Sequence, residues 1–91
     1  MNQKKKRKKY HINPEDGLEA AVLKVAKYDY IDALIEQMED RECEMTNRKV
    51  RRLERFFLSP WGQLLSYNHG ELIIEKCRQD AKREVAHNEA F

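Results

Sequence analysis

Few side chains in this sequence could do chemistry, and the most conspicuous are cations. Lys4, Lys5, Lys6, Arg7, Lys8 and Lys9 stand together with no acid among the first eleven residues. Such a run attracts polyanions such as DNA or RNA with little sequence preference, and its affinity falls steeply with salt. The same composition suits nuclear localisation, or a solubilising tail with no partner. A second group, Arg48, Arg51, Arg52 and Arg55, falls within an arc of about 100° when wound at 3.6 residues per turn. Guanidinium forks match phosphate oxygens, so this face could cross a nucleic-acid backbone. The plainer alternative is a solvated face, or one paired with the nearby acids Glu36, Glu39, Asp40, Glu42 and Glu44.

The acids and the metal-ligand types are scattered. Asp29 shares a helical face with Leu18, Val22 and Val25, which predicts a carboxylate at or near the core. A buried carboxylate needs a cation or free N–H groups, so Asp29 reads as a structural clamp between helices. A binding or catalytic acid is the alternative. One acid without a second acid, a base or a nucleophile in a defined motif does not make an active site. His11, His69, His87, Cys43 and Cys77 show neither CxxC nor i, i+3 or i, i+4 spacing, so no metal site is expected. Phosphate loop, nucleophile elbow and HExxH are all missing. The reading is therefore no enzyme and no cofactor.

Helices must position these groups. Three Gly and two Pro in 91 residues leave little material for tight turns, and strand-type alternation is almost absent. Apolar residues at 41% suffice for a small core, while 37% charged residues imply a heavily charged exterior. The fold class expected is all-α: a three- to four-helix bundle with a long first helix and a disordered basic N-terminal tail. Residues 1–12 form the tail, 13–86 the single domain and 87–91 a frayed end. Asn13-Pro14-Glu15-Asp16 is a strong helix start, weakened by Gly17 inside the first turn.

The first helix should run from 14 to about 43. It carries two apolar stripes: Leu18, Ala21, Val22 and Val25 on one side, Leu23, Tyr30, Leu34 and Met38 on the other, with Ile31 and Ile35 beside them. A helix oily on two sides is central to a bundle or contacts a second chain. Homodimerisation is accordingly expected through the face around Leu23, Leu34 and Met38. A turn is placed near Met45-Thr46-Asn47, with Thr46 or Asn47 capping a second helix from 48 to 58. There Val50, Leu53 and Phe57 share the inner face. Ser59 caps a short third helix, with Pro60 at its first position, carrying Trp61, Leu64 and Leu65. Asn68, three residues before Glu71, has capping-box spacing for a last helix, on which Ile73, Ile74, Cys77 and Ala81 point inward and whose pattern fades beyond Val85. The run Phe56-Phe57-Leu58-Ser59-Pro60-Trp61 reads as a core corner where two helices meet, with a partner-binding hot spot as the alternative.

Charge and hydropathy narrow the setting. Outside the tail, twelve basic residues face sixteen acids, so an acidic body carries a basic leash. No apolar run approaches the roughly 18–20 residues that span a bilayer, and no hydrophobic segment follows the basic start as in a secretory signal. Two unpatterned cysteines then read as reduced and cytosolic.

The spacing Ala26-x-x-Asp29-Tyr30-x-x-Ala33-Leu34, followed by Phe56-Phe57-x-Ser59-x-Trp61, Leu64-Leu65, Gly70-Glu71 and Ile73-Ile74-Glu75-Lys76-Cys77-Arg78, resembles a family of small proteins from phages and prophages of Gram-positive bacteria. The resemblance covers most of residues 18–78 and not the tail. It implies a setting rather than a reaction: the bacterial cytoplasm during phage growth or lysogeny, which removes nuclear localisation. It also fits Asp29-Tyr30 and Ser59-x-Trp61 as fold determinants. The function expected is that of a non-enzymatic phage accessory or regulatory protein binding nucleic acid through the tail and the arginine face. The alternative is a module that binds a host or phage protein through a helical or aromatic surface.

Overall fold

The computed structural model describes residues 17–89, the side chains of 88 and 89 excepted. The tail with Lys4 to Lys9, His11 and the Asn13-Pro14 helix start lie outside the described residues. Within them the chain is all-helical: α1 is Leu18–Glu39, α2 Glu44–Leu58, α3 Pro60–Leu65 and α4 Gly70–Glu89. α1 packs on α2 and α4, α2 also packs on α4, and the short α3 sits mainly against α2. α4 continues to Glu89, past the point at which the apolar pattern fades.

Several boundaries differ from expectation, each for a local reason. Gly17 has extended backbone (φ −69°, ψ 169°) and precedes the helix, so it does not dilute the first turn. α1 stops at Glu39 rather than near Cys43. Its last turn holds acids and no base, which opposes the helix dipole. Asp40 then starts a turn: its Oδ1 accepts from the Glu42 N–H at 3.2 Å, and its carbonyl from the Cys43 N–H at 3.3 Å. The turn therefore falls at 40–43, and Thr46 and Asn47 lie inside α2 without capping it. Asn47 instead closes the hairpin, donating to the Arg41 carbonyl at 3.1 Å and accepting from Gln37 Nε2 at 2.9 Å.

The two stripes of α1 exchange roles relative to expectation. Tyr30, Ile31, Ala33 and Leu34 are buried, and Leu23, Ile35 and Met38 pack against them. The face assigned to a second chain is the core of the single chain. Ala21, Val22 and Val25 are only half-buried, and Leu18 is exposed. Tyr30 and Phe57 are fully buried at the centre with ring centroids 5.6 Å apart, and Phe56 meets Phe57 edge-on at 5.5 Å. Val50, Ile74, Cys77 and Ala81 complete the core from α2 and α4.

Candidate functional site

The corner joining α2, α3 and α4 is the most elaborately bonded part of the chain. Ser59 Oγ donates to the Phe56 carbonyl at 2.7 Å and accepts from the Gly62 N–H at 3.1 Å, so it ends α2 and caps α3 together. α3 closes on a Schellman arrangement: the Asn68 N–H donates to the Gln63 carbonyl at 2.7 Å and the Tyr67 N–H to Leu64 at 3.4 Å. Ser66 is buried, donating from Oγ to the Gly62 carbonyl at 2.8 Å. Gly62 and Gly70 both lie against the carbonyl end of α2, where a Cβ at either would collide with the Phe56 or Phe57 oxygen.

Asn68 plays a different part from the capping box expected of it. It sits at φ 65°, beside Tyr67 at φ 56°. Left-handed backbone suits Gly, and Asn tolerates it, but a Tyr there costs about 1–2 kcal/mol. His69 precedes the helix instead, its carbonyl accepting from the Ile73 N–H at 3.0 Å.

This corner presents apolar surface outward. Trp61 is 57% exposed, Leu64 67% and Tyr67 83%, and Leu58 and Leu72 near them in sequence are also exposed. The expectation that Trp61 belongs to the core fails. α3 has only six residues, and its inner side is taken by Gly62, Leu65 and the α2 carbonyls, so Trp61 and Leu64, three apart, share the outer side.

The arginine face is exposed as the spacing suggests. Arg48, Arg51, Arg52 and Arg55 are all on the surface, and among the described residues none makes an ion pair. The pairing with Glu36 to Glu44 considered from the sequence is not formed. Arg51 instead lines a polar hollow of about 450 Å³ with Gln37, Met38, Asn47 and Arg41; of these, Arg41 is a cation the charge pattern did not single out.

Asp29 is half-buried and makes no hydrogen bond or ion pair among the described residues. It clamps nothing there. The clamp is the residue beside it: Tyr30 Oη donates to Glu54 Oε2 at 2.6 Å, and Arg78 Nη2 donates to the same oxygen at 3.0 Å. One carboxylate oxygen thus joins α1, α2 and α4. Burial first, then the Glu54 carboxylate, push the Tyr30 hydroxyl well above its ordinary range, and Glu54 holds Arg78 more firmly protonated. A wheel could not find this, because Glu54 and Arg78 look like ordinary surface charges until α2 and α4 flank Tyr30.

Asp29 lies on a groove of about 510 Å³ between α1 and α2, lined by Ala21, Val22, Val25 and Ala26 on one side and Arg52, Leu53 and Phe56 on the other. The thiols differ. Cys77 is buried and pushed up to about 11, chiefly by desolvation. Cys43 precedes α2, and its thiol is held below its usual range by the Thr46 hydroxyl, which donates to Sγ at 3.3 Å, and by the Thr46 amide. Among the described residues no group of three or more His, Cys, Asp or Glu side chains is placed to hold a metal ion. No described helix is long and apolar enough to cross a membrane.

Compared with known protein families, with curated proteins and with solved structures, the chain gives no match in any of the three.

Proposed function

We propose that this chain is a non-enzymatic binding protein that engages a partner protein through the α3 corner. In the phage setting that the resemblance implies, the partner is a host or phage protein met in the bacterial cytoplasm. The observation that carries the reading is the outward placement of Trp61, Leu64 and Tyr67 on a corner stiffened by Ser59, Ser66 and two glycines. Large exposed apolar side chains are the informative exception on a small protein. Trp and Tyr are also the side chains that most often dominate binding energy. The left-handed Tyr67 adds to this, since backbone strain persists where a position serves something other than stability.

The test is affinity capture from the bacterial host with full-length protein, beside Trp61→Ala and Leu64→Ser. Because both side chains are exposed, the variants should fold. The reading requires a discrete protein retained by the wild type and weakened at least about 30-fold by Trp61→Ala, the scale of a hot-spot residue. Equal retention by all three proteins removes it.

A second reading rests on the exposed arginine face, which makes no ion pair among the described residues. Binding of nucleic acid through Arg48, Arg51, Arg52 and Arg55, supported by Lys4, Lys5, Lys6, Arg7, Lys8 and Lys9, requires weak, sequence-tolerant association. Its logarithm should fall linearly with the logarithm of salt. Absence of a shift of labelled DNA or RNA at low salt ends that reading, and Trp61→Ala should leave any shift unchanged.

A further inference from the structure

The stripe that the core leaves open has the pattern of a helix seam. Leu18, Val22, Val25 and Asp29 recur at spacings of four, three and four, the a/d rhythm with which two helices pack. Leu18 is exposed and the two valines half-buried. Ala21 and Ala26 beside them are small enough for a second backbone to approach, and the groove of about 510 Å³ continues onto Leu53 and Phe56 of α2. The stripe ends in an acid, Asp29, across the groove from a base, Arg52. Neither makes an ion pair among the described residues.

We infer that the occupant of this groove is a second copy of the chain, related by a two-fold axis running along it. Such an axis keeps residues at their own height, so α1 of one protomer faces α2 of the other. Asp29 and Arg52 share one end of the groove, because Tyr30 beside Asp29 bonds Glu54, two residues from Arg52. The two-fold therefore sets each Asp29 against the partner subunit's Arg52, twice over. Leu18, Val22 and Val25 line the axis, diagonally across it from their counterparts at the same height. A self-complementary patch with one acid and one base is what an isologous interface requires, and each charge supplies the other's counter-ion where the seam excludes water. The remaining arginines, Arg48, Arg51 and Arg55, stay outward. The interface is distinct from the α3 corner, so either reading stands or falls alone.

Sedimentation equilibrium of the full chain from about 5 µM to 1 mM tests it. A seam of three apolar residues per protomer suits a weak dimer, dissociating on the order of tens of micromolar. Asp29→Arg and Arg52→Asp each place like charges in contact and should raise the dissociation constant at least about tenfold. Combining them restores opposite signs and should return it to within about threefold of wild type. All three variants alter exposed or half-buried side chains, and circular dichroism checks that they fold. A chain that stays monomeric throughout overturns the inference. So does a dimer indifferent to both reversals or dissociated by Trp61→Glu, which places the contact elsewhere. A dimer that appears only after residues 1–12 are removed also overturns it, because the groove is then filled by the chain's own N-terminal segment.

Discussion

Gly62→Ala is expected to lower the melting temperature by about 12–24 °C, and Gly70→Ala by a similar amount. A Cβ at position 62 would collide with the Phe56 carbonyl oxygen, and one at 70 with that of Phe57. These obstacles are the backbone at the end of α2, where the Phe56 oxygen also accepts from Ser59 Oγ, so they cannot swing aside as a side chain would. The overpacking cost belongs at the upper end of the usual scale, about 3 kcal/mol, and a domain of this size loses about 4–8 °C per kcal/mol. Gly17→Ala is the control. Its Cβ would meet only Glu19 Oε1 at ordinary contact distance, and its φ of −69° suits any residue; a change within about 0.5 kcal/mol is expected. Calorimetry on the three variants decides. Equal melting of all three would mean that α3 and α4 do not close on the end of α2.

Tyr30→Phe should destabilise the fold by about 1.5–3 kcal/mol, the usual value of a hydrogen bond to a charged group. Glu54 keeps its bond from Arg78, so the loss should fall short of the roughly 3–5 kcal/mol of an aromatic-to-alanine truncation in a core. The variant should also change the alkaline limb of stability. The Tyr30 hydroxyl is raised above its ordinary 10.0 in the fold. Above pH 10 the unfolded chain therefore releases a proton that the folded one keeps, and stability falls with rising pH by up to about 1.4 kcal/mol per unit. Cys77 adds an earlier component: its thiol is raised from 9.0 to about 11, so its contribution is complete below pH 9 and disappears by about pH 11. Denaturant titrations from pH 7 to 11.5 separate the two. Tyr30→Phe removes the part beginning near pH 10, and Cys77→Ala the part beginning near pH 9. An alkaline limb unchanged in Tyr30→Phe would show that the hydroxyl is neither buried nor held by Glu54 as the fold places it.

Local signals were legible in the sequence where a side chain acts on its own neighbourhood. Ser59-Pro60 announces the start of α3 because a hydroxyl three residues ahead of an N–H can cap it wherever the helix ends up. The arginine face follows from periodicity alone. Asp40 was readable in principle as a turn former, but the Met45-Thr46-Asn47 triplet drew the boundary about four residues too late. Asn47 makes tertiary bonds to Gln37 and Arg41, and these appear only once the hairpin closes. The same applies to Asn68, whose spacing to Glu71 mimics a cap while its backbone ends the previous helix.

Taken alone, composition and period determined that the described residues are mostly helical, where the charges run, and that α1 is apolar on two sides. Which side faces inward was decided only by tertiary structure. The stripe with Leu23, Ile31, Leu34, Ile35 and Met38 is the larger, but it also carries Tyr30, whose hydroxyl can be buried only if Glu54 and Arg78 arrive to receive it. The other carries Asp29, which meets no cation among the described residues. Trp61 is outside for a related reason: the inner side of α3 is taken by Leu65 and by Gly62, which is small enough to lie against the carbonyl oxygens of α2. Burial depends on which polar atoms find partners and which backbones can touch, and those are properties of the assembled helices rather than of any one of them.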